Sequence, residues 1–299
     1  MNQEKIHWKP RNAGIVCGGS AYIGIYAHGV NNQIFHLTKN FYMSEEMKTS
    51  FSKTLFIPLM ARASEMKRNK PVIQDKKAAE IMAQIETGDI IIDGGEIATH
   101  GILARTKVID DEINKILLEK PDITIINLGA GLDTRISRID NGSLRYFELD
   151  LSDVIAFRRK FFAENERIRF IAGSVLDSAW INEIGELDGG NTIIVAEGLL
   201  MYFSMDDVAQ IFHILAEHFQ GAIMFFDVVH SYFTGRGISA SFQWGIDRAN
   251  DIERQFSNIQ LVRSWSIGDI LRERQPFIFN LLNVLPGTKN RSQILQVRF

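Results

Sequence analysis

The sequence of 299 residues contains a single cysteine, Cys17, and only six prolines. One cysteine cannot form an internal disulfide or a cysteine-rich zinc site, and such low usage is typical of a reducing compartment. The seven histidines show none of the spacings with which paired histidines bind a metal. We therefore expect neither a disulfide framework nor a metal site.

The chain also lacks an excess of charge of either sign and lacks long hydrophobic runs. Its 33 basic and 36 acidic residues leave a formal net charge of −3, without the basic footprint of a nucleic-acid-binding protein. No stretch of about 18 strongly apolar residues occurs, which argues against a membrane span. We expect a soluble, cytoplasmic globular protein that is long enough to bury a large core.

Residues 1–45 differ from the rest in composition, because they are rich in glycine and have no sustained apolar period. We treat them as an N-terminal extension of uncertain status. Met43, followed by Ser-Glu-Glu, is a more natural start than Met1. An intact mass of natively expressed protein that includes Met1 would contradict this hypothesis.

Residues 46–121 predict a helical cap. Asp75 is a suitable N-cap for a helix over residues 76–85, and Gly88 is placed to close it. Apolar residues then recur at helical spacing over residues 100–119.

From residue 122 to residue 299, short apolar runs alternate with amphipathic stretches such as 152–164 and 205–218. This alternation is typical of βαβ units, and it predicts an α/β fold with a mostly parallel sheet and helices on both faces. The last two runs suit a pair of strands at one edge, one of them antiparallel. The seven predicted strands are Ile123–Leu128, Leu144–Leu149, Ile168–Ala172, Thr192–Ala196, Ala222–Val229, Ile259–Trp265 and Ile294–Phe299.

Glycines and acids follow the predicted strands, at the edge where such sheets bind ligands. Gly129 and Gly131 come after the first strand, where glycine lets the backbone turn and approach a ligand closely. Asp150 ends the second run, at the distance from Gly129 where an acid accepts hydrogen bonds from ribose hydroxyls. An alternative is that Asp150 only caps the helix that starts near Ser152.

The residues after the first strand also discriminate between nucleotide cofactors. Thr134 stands where a dinucleotide fingerprint has its third glycine, and Asp133 precedes it. A carboxylate there would repel a pyrophosphate but suits a ligand that carries an ammonium or sulfonium group. The pattern favours S-adenosylmethionine over NAD. An NAD(P)-dependent oxidoreductase and a non-catalytic cofactor-binding protein remain open as alternatives.

Several motifs, in order along the chain, resemble the leucine carboxyl methyltransferase family. They lie at residues 127–135, 148–151, 174–177 and 196–202, and two further segments, 54–63 and 104–107, are similar to the bacterial polyketide-synthesis branch of that family. The resemblance covers roughly residues 50–299. It implies a Rossmann-like class I methyltransferase that uses S-adenosylmethionine, releases S-adenosylhomocysteine and has a seven-stranded sheet with a helical N-terminal cap.

The resemblance also implies roles for individual residues. An arginine suits the methionyl carboxylate, because its guanidinium is a fork-like cation, although a solvated helix face is an alternative for Arg62. The implied cofactor contacts are Gly129 and Gly131 beneath the cofactor, Asp150 at the ribose, Asp177 by the adenine, Glu197 at the methionyl end, and Arg105 and Arg62 at the methionyl carboxylate.

The methyl acceptor is expected to be a small molecule that offers a carboxylate or phenolic oxygen. A carboxylate is already ionised at neutral pH, whereas a phenol would need a general base. His230 and His100 are candidates for that base, and Tyr202 stands at the mouth of the crevice. The aromatic residues near His230 suit an acceptor pocket, or simply cover the edge of the sheet as core. No nucleic-acid or membrane partner is expected, and the sequence does not indicate an oligomeric state.

Overall fold

The computed structural model describes residues 55–85, 95–235, 241–275 and 292–299. The predictions for residues 1–45 and Gly88 lie outside the described residues. The centre of the fold is a seven-stranded sheet with the strand order β3-β2-β1-β4-β5-β7-β6. Its strands are β1 Thr124–Leu128, β2 Arg145–Asp150, β3 Ile168–Ala172, β4 Thr192–Ala196, β5 Ile223–Val229, β6 Gln260–Ser266 and β7 Ser292–Arg298.

The predicted mostly parallel sheet is confirmed. Strands β1 to β5 pair in parallel, whereas β7 runs antiparallel to both β5 and β6. The order reverses at β1, where β2 lies on one side and β4 on the other. In an open α/β sheet this switch point leaves a crevice outside the carboxyl ends of the strands.

Helices cover both faces of the sheet, as predicted, and the central strand β1 is buried throughout, with successive side chains on opposite faces. Ile125 packs with the helix Gly95–Glu119, whereas Ile126 packs with the helix Met205–His218 on the opposite face. In chain order the helices are α1 Ile57–Glu65, α2 Lys76–Gln84, α3 Gly95–Glu119, α4 Ile136–Ile139, α5 Ser152–Arg158, α6 Ile181–Ile184, α7 Met205–His218 and α8 Asp251–Gln255.

Helices α1 and α2 form the cap, which packs on the turn after β1 and on α5. Leu59 of α1 and Ile81 of α2 share a buried cluster with Leu132 and Phe157. Asp75 is the N-cap of α2, as predicted, because its Oδ1 accepts the Ala78 N–H at 2.8 Å. Apolar burial therefore joins the cap to the edge of the sheet where the glycine turn lies.

Two predicted helices have different bounds in the structure. Helix α3 begins at Gly95, five residues before the expected start, and α5 ends at Arg158, six residues before the expected end. Beyond Arg158 the chain makes one more turn, in which the Phe162 N–H donates to the Arg158 carbonyl and the Phe162 ring lies 4.0 Å from the fully buried Arg158 guanidinium.

Helix α7 begins at the predicted residue with a capping box. Ser204 Oγ accepts the Asp207 N–H at 3.1 Å, and Asp207 Oδ2 accepts the Ser204 N–H at 3.1 Å. We expect Ser204→Ala to lower the free energy of unfolding by about 1 kcal/mol, measured by urea denaturation. The control is Ser152→Ala at the exposed start of α5, which should change it by less than about 0.5 kcal/mol. Equal losses in both variants would contradict the prediction.

Candidate functional site

A glycine turn follows β1 at the switch point. Gly129 and Gly131 have φ angles of +64° and +50°, in the left-handed region that favours glycine. A Cβ on Gly129 would lie 2.6 Å from Leu199 Cδ1, and one on Gly131 would lie 3.0 Å from Leu55 Cδ1. Both conformation and space therefore favour glycine, and the turn offers bare backbone to whatever approaches it.

Asp150 stands beside this turn, at the end of β2. Its Oδ2 accepts the Gly131 N–H and its Oδ1 accepts the Leu151 N–H, both at 2.7 Å. Each carboxylate oxygen keeps a second acceptor position for another donor. Burial raises the pKa of Asp150 to about 6, although the two backbone N–H groups work against the rise. The alternative role as a helix cap is not seen, because Leu151 is the N-cap of α5 and no side chain caps that helix.

A cleft of about 410 Å³, a volume that includes its part open to solvent, lies at the glycine turn. The cap contributes one wall and the carboxyl ends of β1 and β4, with α3, contribute the others. The lining residues are Leu55, Pro58, Arg62, Arg105, Asn127, Gly129, Ala130, Gly131, Leu132, Asp133 and Glu197.

Arg105 projects from α3 and is held by two carboxylates. Its Nε donates to Glu197 Oε1 at 3.0 Å, and its Nη1 donates to Asp227 Oδ2 at 2.8 Å. Among the described residues, its Nη2 has no hydrogen-bond acceptor. Because the guanidinium is a rigid planar fork, one donor edge of this cleft-lining cation is available to a ligand.

Arg62 does not lie on a solvated helix face, and that alternative is wrong. Its side chain is only 2% exposed and its Nε donates to Asp75 Oδ2 at 2.9 Å. Its Nη2 donates to the Leu132 carbonyl at 3.4 Å and lies 3.8 Å from Asp133 Oδ1. The basic stretch around Arg62 is exposed, but Arg62 itself points into the cleft wall.

Asp133, also on the cleft wall, is surrounded by cations. Its Oδ2 accepts Arg135 Nη1 at 3.0 Å and Asn127 Nδ2 at 3.1 Å, and its Oδ1 accepts the Arg135 N–H at 3.0 Å. Burial acts to raise the pKa of Asp133, but Arg135 and Arg62 outweigh it and hold that pKa well below its usual range. Asp133 is therefore ionised, and its charge is already compensated by the protein.

Further charged residues behind the cleft were not recognised in the sequence. Arg135 donates from Nε to Asp110 on α3 at 2.7 Å and from Nη2 to Glu197. Arg138 joins Asp110 to Asp75 of the cap, at 2.6 and 2.7 Å. Ion pairs thus run without a break from the cap to Glu197, directly after β4, and to Asp227 within β5. The one available signal was Asp227, a lone acid in the apolar run of β5.

Glu197, at the end of β4, joins both halves of this network. Its Oε1 accepts the Thr106 hydroxyl at 2.9 Å as well as Arg105, and its Oε2 accepts Arg135. Burial acts to raise the pKa of Glu197, but Arg135 and Arg105 outweigh it and lower the pKa. The carboxylate therefore stays ionised on the cleft wall.

Asp177, at the carboxyl end of β3, is exposed and does not line the cleft. Its Oδ1 accepts the Ala179 N–H at 2.9 Å and caps the short helical turn Ser178–Trp180. Because β3 neighbours β2, Asp177 stands on the same edge of the sheet as Asp150. Within the described ranges, its second carboxylate oxygen accepts no hydrogen bond.

Tyr202 and His230 lie at the same edge, after β4 and β5, and neither is among the residues that line the cleft. The Tyr202 ring centroid is 5.1 Å from that of Phe242. His230 Nδ1 accepts the Tyr232 N–H at 3.1 Å. His100 instead has its Nε2 2.9 Å from the side-chain amide of Gln275, and burial lowers the pKa of His100.

Two features are absent from the part of the chain that the structure describes. No group of three or more histidine, cysteine or acidic side chains in this part of the chain is arranged to hold a metal ion. None of its helices has both the length and the apolar character needed to cross a membrane.

Comparison with known proteins identifies the family. The profile of the leucine carboxyl methyltransferase family matches residues 56–216, more than half of the chain. The tetracenomycin polyketide synthesis O-methyltransferase TcmP of Streptomyces glaucescens is 25% identical over 74% of this chain and 84% of its own length. The S-adenosyl-L-methionine-dependent methyltransferase dpfgK of Gibberella zeae is 24% identical over 69% of this chain and 78% of its own length.

A solved structure described as a methyltransferase from Thermobifida fusca shares the fold, with a TM-score of 0.51 at 15% identity over 81% of this chain and 93% of that one. The family match begins in α1 and includes the glycine turn, Asp150 and Glu197. It overturns the alternative of an NAD(P)-dependent oxidoreductase. The chain belongs to the leucine carboxyl methyltransferase family and is an S-adenosylmethionine-dependent methyltransferase.

Proposed function

We propose that the cleft binds S-adenosylmethionine across the glycine turn and that the enzyme methylates an oxygen of a small-molecule acceptor. The observation that carries the binding proposal is the presence of two polar groups at this cleft, Asp150 beside the glycine turn and Arg105 on the cleft wall. Asp150 offers a carboxylate braced by two backbone N–H groups, and Arg105 offers a donor edge to which no described residue is hydrogen-bonded. These groups match the ribose hydroxyls and the methionyl carboxylate of the cofactor.

Asp150 is 3% exposed and lies directly behind the lining residue Gly131, to which it is hydrogen-bonded, and does not itself line the cleft. The lining residues fit the same ligand. Gly129 and Gly131 line the cleft with backbone in a turn that their positive φ angles allow, and Arg62 adds a second buried cation near the carboxylate end. We assign Asp133 and Glu197 to the sulfonium and ammonium end of the ligand because both line the cleft with ionised carboxylates, although arginines of the chain already compensate their charge. Asp177 is placed at the next strand end, where we assign it to the adenine amino group.

Bound S-adenosylmethionine supplies an electrophilic methyl group on a sulfonium. The chain's part in such an in-line displacement is to align the acceptor and to exclude water. A carboxylate acceptor needs no proton removed at neutral pH, because its ordinary pKa lies far below 7. A phenolic acceptor would require a base within hydrogen-bond reach of its proton.

Two groups face His230 Nδ1, the Tyr232 N–H at 3.1 Å and Asp247 Oδ1 at 3.3 Å. A bond from Tyr232 places the imidazole proton on Nε2, whereas a bond to Asp247 places it on Nδ1, so the contacts of His230 do not identify the acceptor atom. We propose a carboxylate acceptor because it needs no base. We assign His230 Nε2 to orienting that acceptor, and Tyr202, at the adjacent strand end, to the same pocket.

The acceptor atom is tested by the chemistry of the product. The enzyme is incubated with tritium-labelled S-adenosylmethionine and a panel of carboxylic acids and phenols, and each labelled product is treated with alkali. We expect label that alkali releases as methanol, because methyl esters hydrolyse under conditions in which aryl ethers persist. Label that stays on a phenolic oxygen would contradict the carboxylate, and label on nitrogen or carbon would contradict oxygen transfer altogether.

The affinity for S-adenosylhomocysteine should depend on pH through Asp150. Burial raises the pKa of Asp150 to about 6 in the ligand-free chain, and the ribose hydroxyls need the ionised carboxylate as acceptor. We expect constant affinity above pH 7 and a fall of up to about tenfold per pH unit below 6, measured by calorimetric titration. Asp150→Asn should bind weakly at every pH and show no slope. A parent profile that is flat from pH 5 to 8 would contradict the role of Asp150.

Protonation of Asp150 should not unfold the chain. A carboxyl whose folded-state pKa lies above its unfolded value of about 3.9 binds its proton more tightly in the folded state. The contribution of Asp150 to stability is therefore full below that unfolded value and is lost as the pH rises through about 6. A loss of ligand affinity on acidification would thus oppose the effect of this group on stability, which separates binding from unfolding.

A further inference from the structure

Asp227 is an acid where the sheet otherwise buries apolar side chains. It lies in the middle of β5, opposite Ile294 of β7, and is 3% exposed. It does not line the cleft. Burying a carboxylate is unfavourable unless charged or hydrogen-bonding partners compensate it, so its partners show what it does.

Both oxygens of Asp227 are used, and both bonds lead to the cleft. Oδ2 accepts Arg105 Nη1 at 2.8 Å and Oδ1 accepts the Gly198 N–H at 2.5 Å. Gly198 directly follows Glu197, which binds Arg105 Nε. One buried carboxylate therefore ties the cation to the loop after β4.

Gly198 explains why the cation can lie so close to this loop. Its φ angle is +68°, and a Cβ at this position would lie 2.8 Å from Arg105 Nη2. The guanidinium rests against the bare backbone there. Any side chain on Gly198 would be strained and would displace the donor edge of Arg105.

A guanidinium held only at Nε could still turn about that contact, whereas a second bond at Nη1 fixes its plane. We propose that Asp227, with Gly198, is a positioning residue that aims the Nη2 edge of Arg105 at the methionyl carboxylate of the cofactor. This inference rests on the proposed function of Arg105. The opposing interpretation is that Asp227 only ties β5 to the loop after β4 for stability.

Two ligands separate these interpretations. S-adenosylhomocysteine has the methionyl carboxylate, and 5′-methylthioadenosine has the adenosine and sulfur without the amino-acid end. In Asp227→Asn the amide oxygen can still accept the Gly198 N–H, but the charge that holds Arg105 is lost. We expect the calorimetric Kd for S-adenosylhomocysteine to rise about ten- to thirtyfold and the Kd for 5′-methylthioadenosine to change less than about twofold.

Two further variants support the comparison. Gly198→Ala should show the same selective loss, because it moves the same guanidinium from the other side. Met224→Ala, which opens a cavity in the core on the same strand, shows what general destabilisation does to the two ligands. We expect it to treat both alike. In an Arg105→Gln background, adding Asp227→Asn should cost little further affinity, because the two residues act as a unit.

The outcomes distinguish the positioning role of Asp227 from the proposed cofactor binding on which it rests. If the parent chain binds neither ligand, the proposed function fails and the inference with it. If the parent binds S-adenosylhomocysteine but Asp227→Asn and Gly198→Ala weaken both ligands equally, or neither, the positioning role is overturned and the proposed function stands. A selective loss in both variants supports the inference.

Discussion

We expect Asp150→Ala to bind S-adenosylhomocysteine at least about a hundredfold more weakly than the parent chain. The variant removes a charged acceptor that we assign to two ribose hydroxyls, and hydrogen bonds to charged groups contribute about 1.5–3 kcal/mol each. It also removes the carboxylate that holds the Gly131 N–H, so the glycine turn loses its brace. Calorimetric titration at pH 7.5 measures the change.

The control for this prediction is Asp153→Asn, an exposed carboxylate in the first turn of α5. It lies three residues away and removes the same charge, so it accounts for long-range electrostatics. We expect its affinity to stay within about twofold of the parent, because exposed charges are largely screened by salt. An Asp150→Ala variant that binds as tightly as Asp153→Asn would rule out Asp150 as a cofactor ligand.

The largest effect on stability is expected from the buried pair beneath the turn. Arg158 Nε donates to Glu148 Oε2 at 2.6 Å, its Nη2 donates to Oε1, and both side chains are fully buried. Arg158→Met would leave the Glu148 carboxylate buried without its cation. Breaking such a pair typically costs about 3–5 kcal/mol, so we expect urea denaturation to show a loss of this size.

Two further variants test the cause of that loss. Arg159→Met removes the neighbouring arginine, which is 48% exposed and pairs with Glu164, and should cost less than about 0.5 kcal/mol. Adding Glu148→Leu to Arg158→Met should recover part of the stability, because no buried charge then lacks a partner. Equal costs for Arg158→Met and Arg159→Met would show that the buried pair does not stabilise the fold.

The pair also bears on function, because Arg158 Nη1 donates to the Gly131 carbonyl at 3.0 Å. The N–H of the same glycine is held by Asp150. Both the N–H and the carbonyl of Gly131 are therefore held by buried side chains. The free energy of the buried pair contributes to keeping the backbone in the conformation that the proposed cofactor contacts require.

The strands and the turn could be predicted from the sequence because their signals are local. Apolar runs of strand length predict the strands of the sheet, and the glycines or acids directly after them predict its carboxyl edge. Neither signal depends on how distant parts of the chain pack. The spacing from Gly129 to Asp150 is that of one βαβ unit, whose two strands end at the same edge of the sheet. The topology therefore accounts for the hydrogen bond of 2.7 Å from the Gly131 N–H to Asp150 Oδ2. Asp75 as a helix cap is a local signal of the same kind.

The ion-pair network could not be predicted, because it depends on which residues of distant elements meet. Asp110 and Arg105 lie on the same helix. Asp110 pairs with Arg135, whereas Arg105 pairs with Glu197 and Asp227. Arg62 shows the converse problem. A run of basic residues indicates a solvated surface, but only tertiary packing reveals that this member turns inward to Asp75.

A crystal structure of the chain with S-adenosylhomocysteine tests the central claim most directly. The account predicts the ligand across the glycine turn, with the ribose hydroxyls within hydrogen-bond distance of Asp150 and the methionyl carboxylate on Arg105 Nη2. Asp227 should keep its bond to Nη1 in that complex. A ligand bound elsewhere, or one whose carboxylate lies on a different cation while Arg105 stays uncommitted at Nη2, would contradict the account.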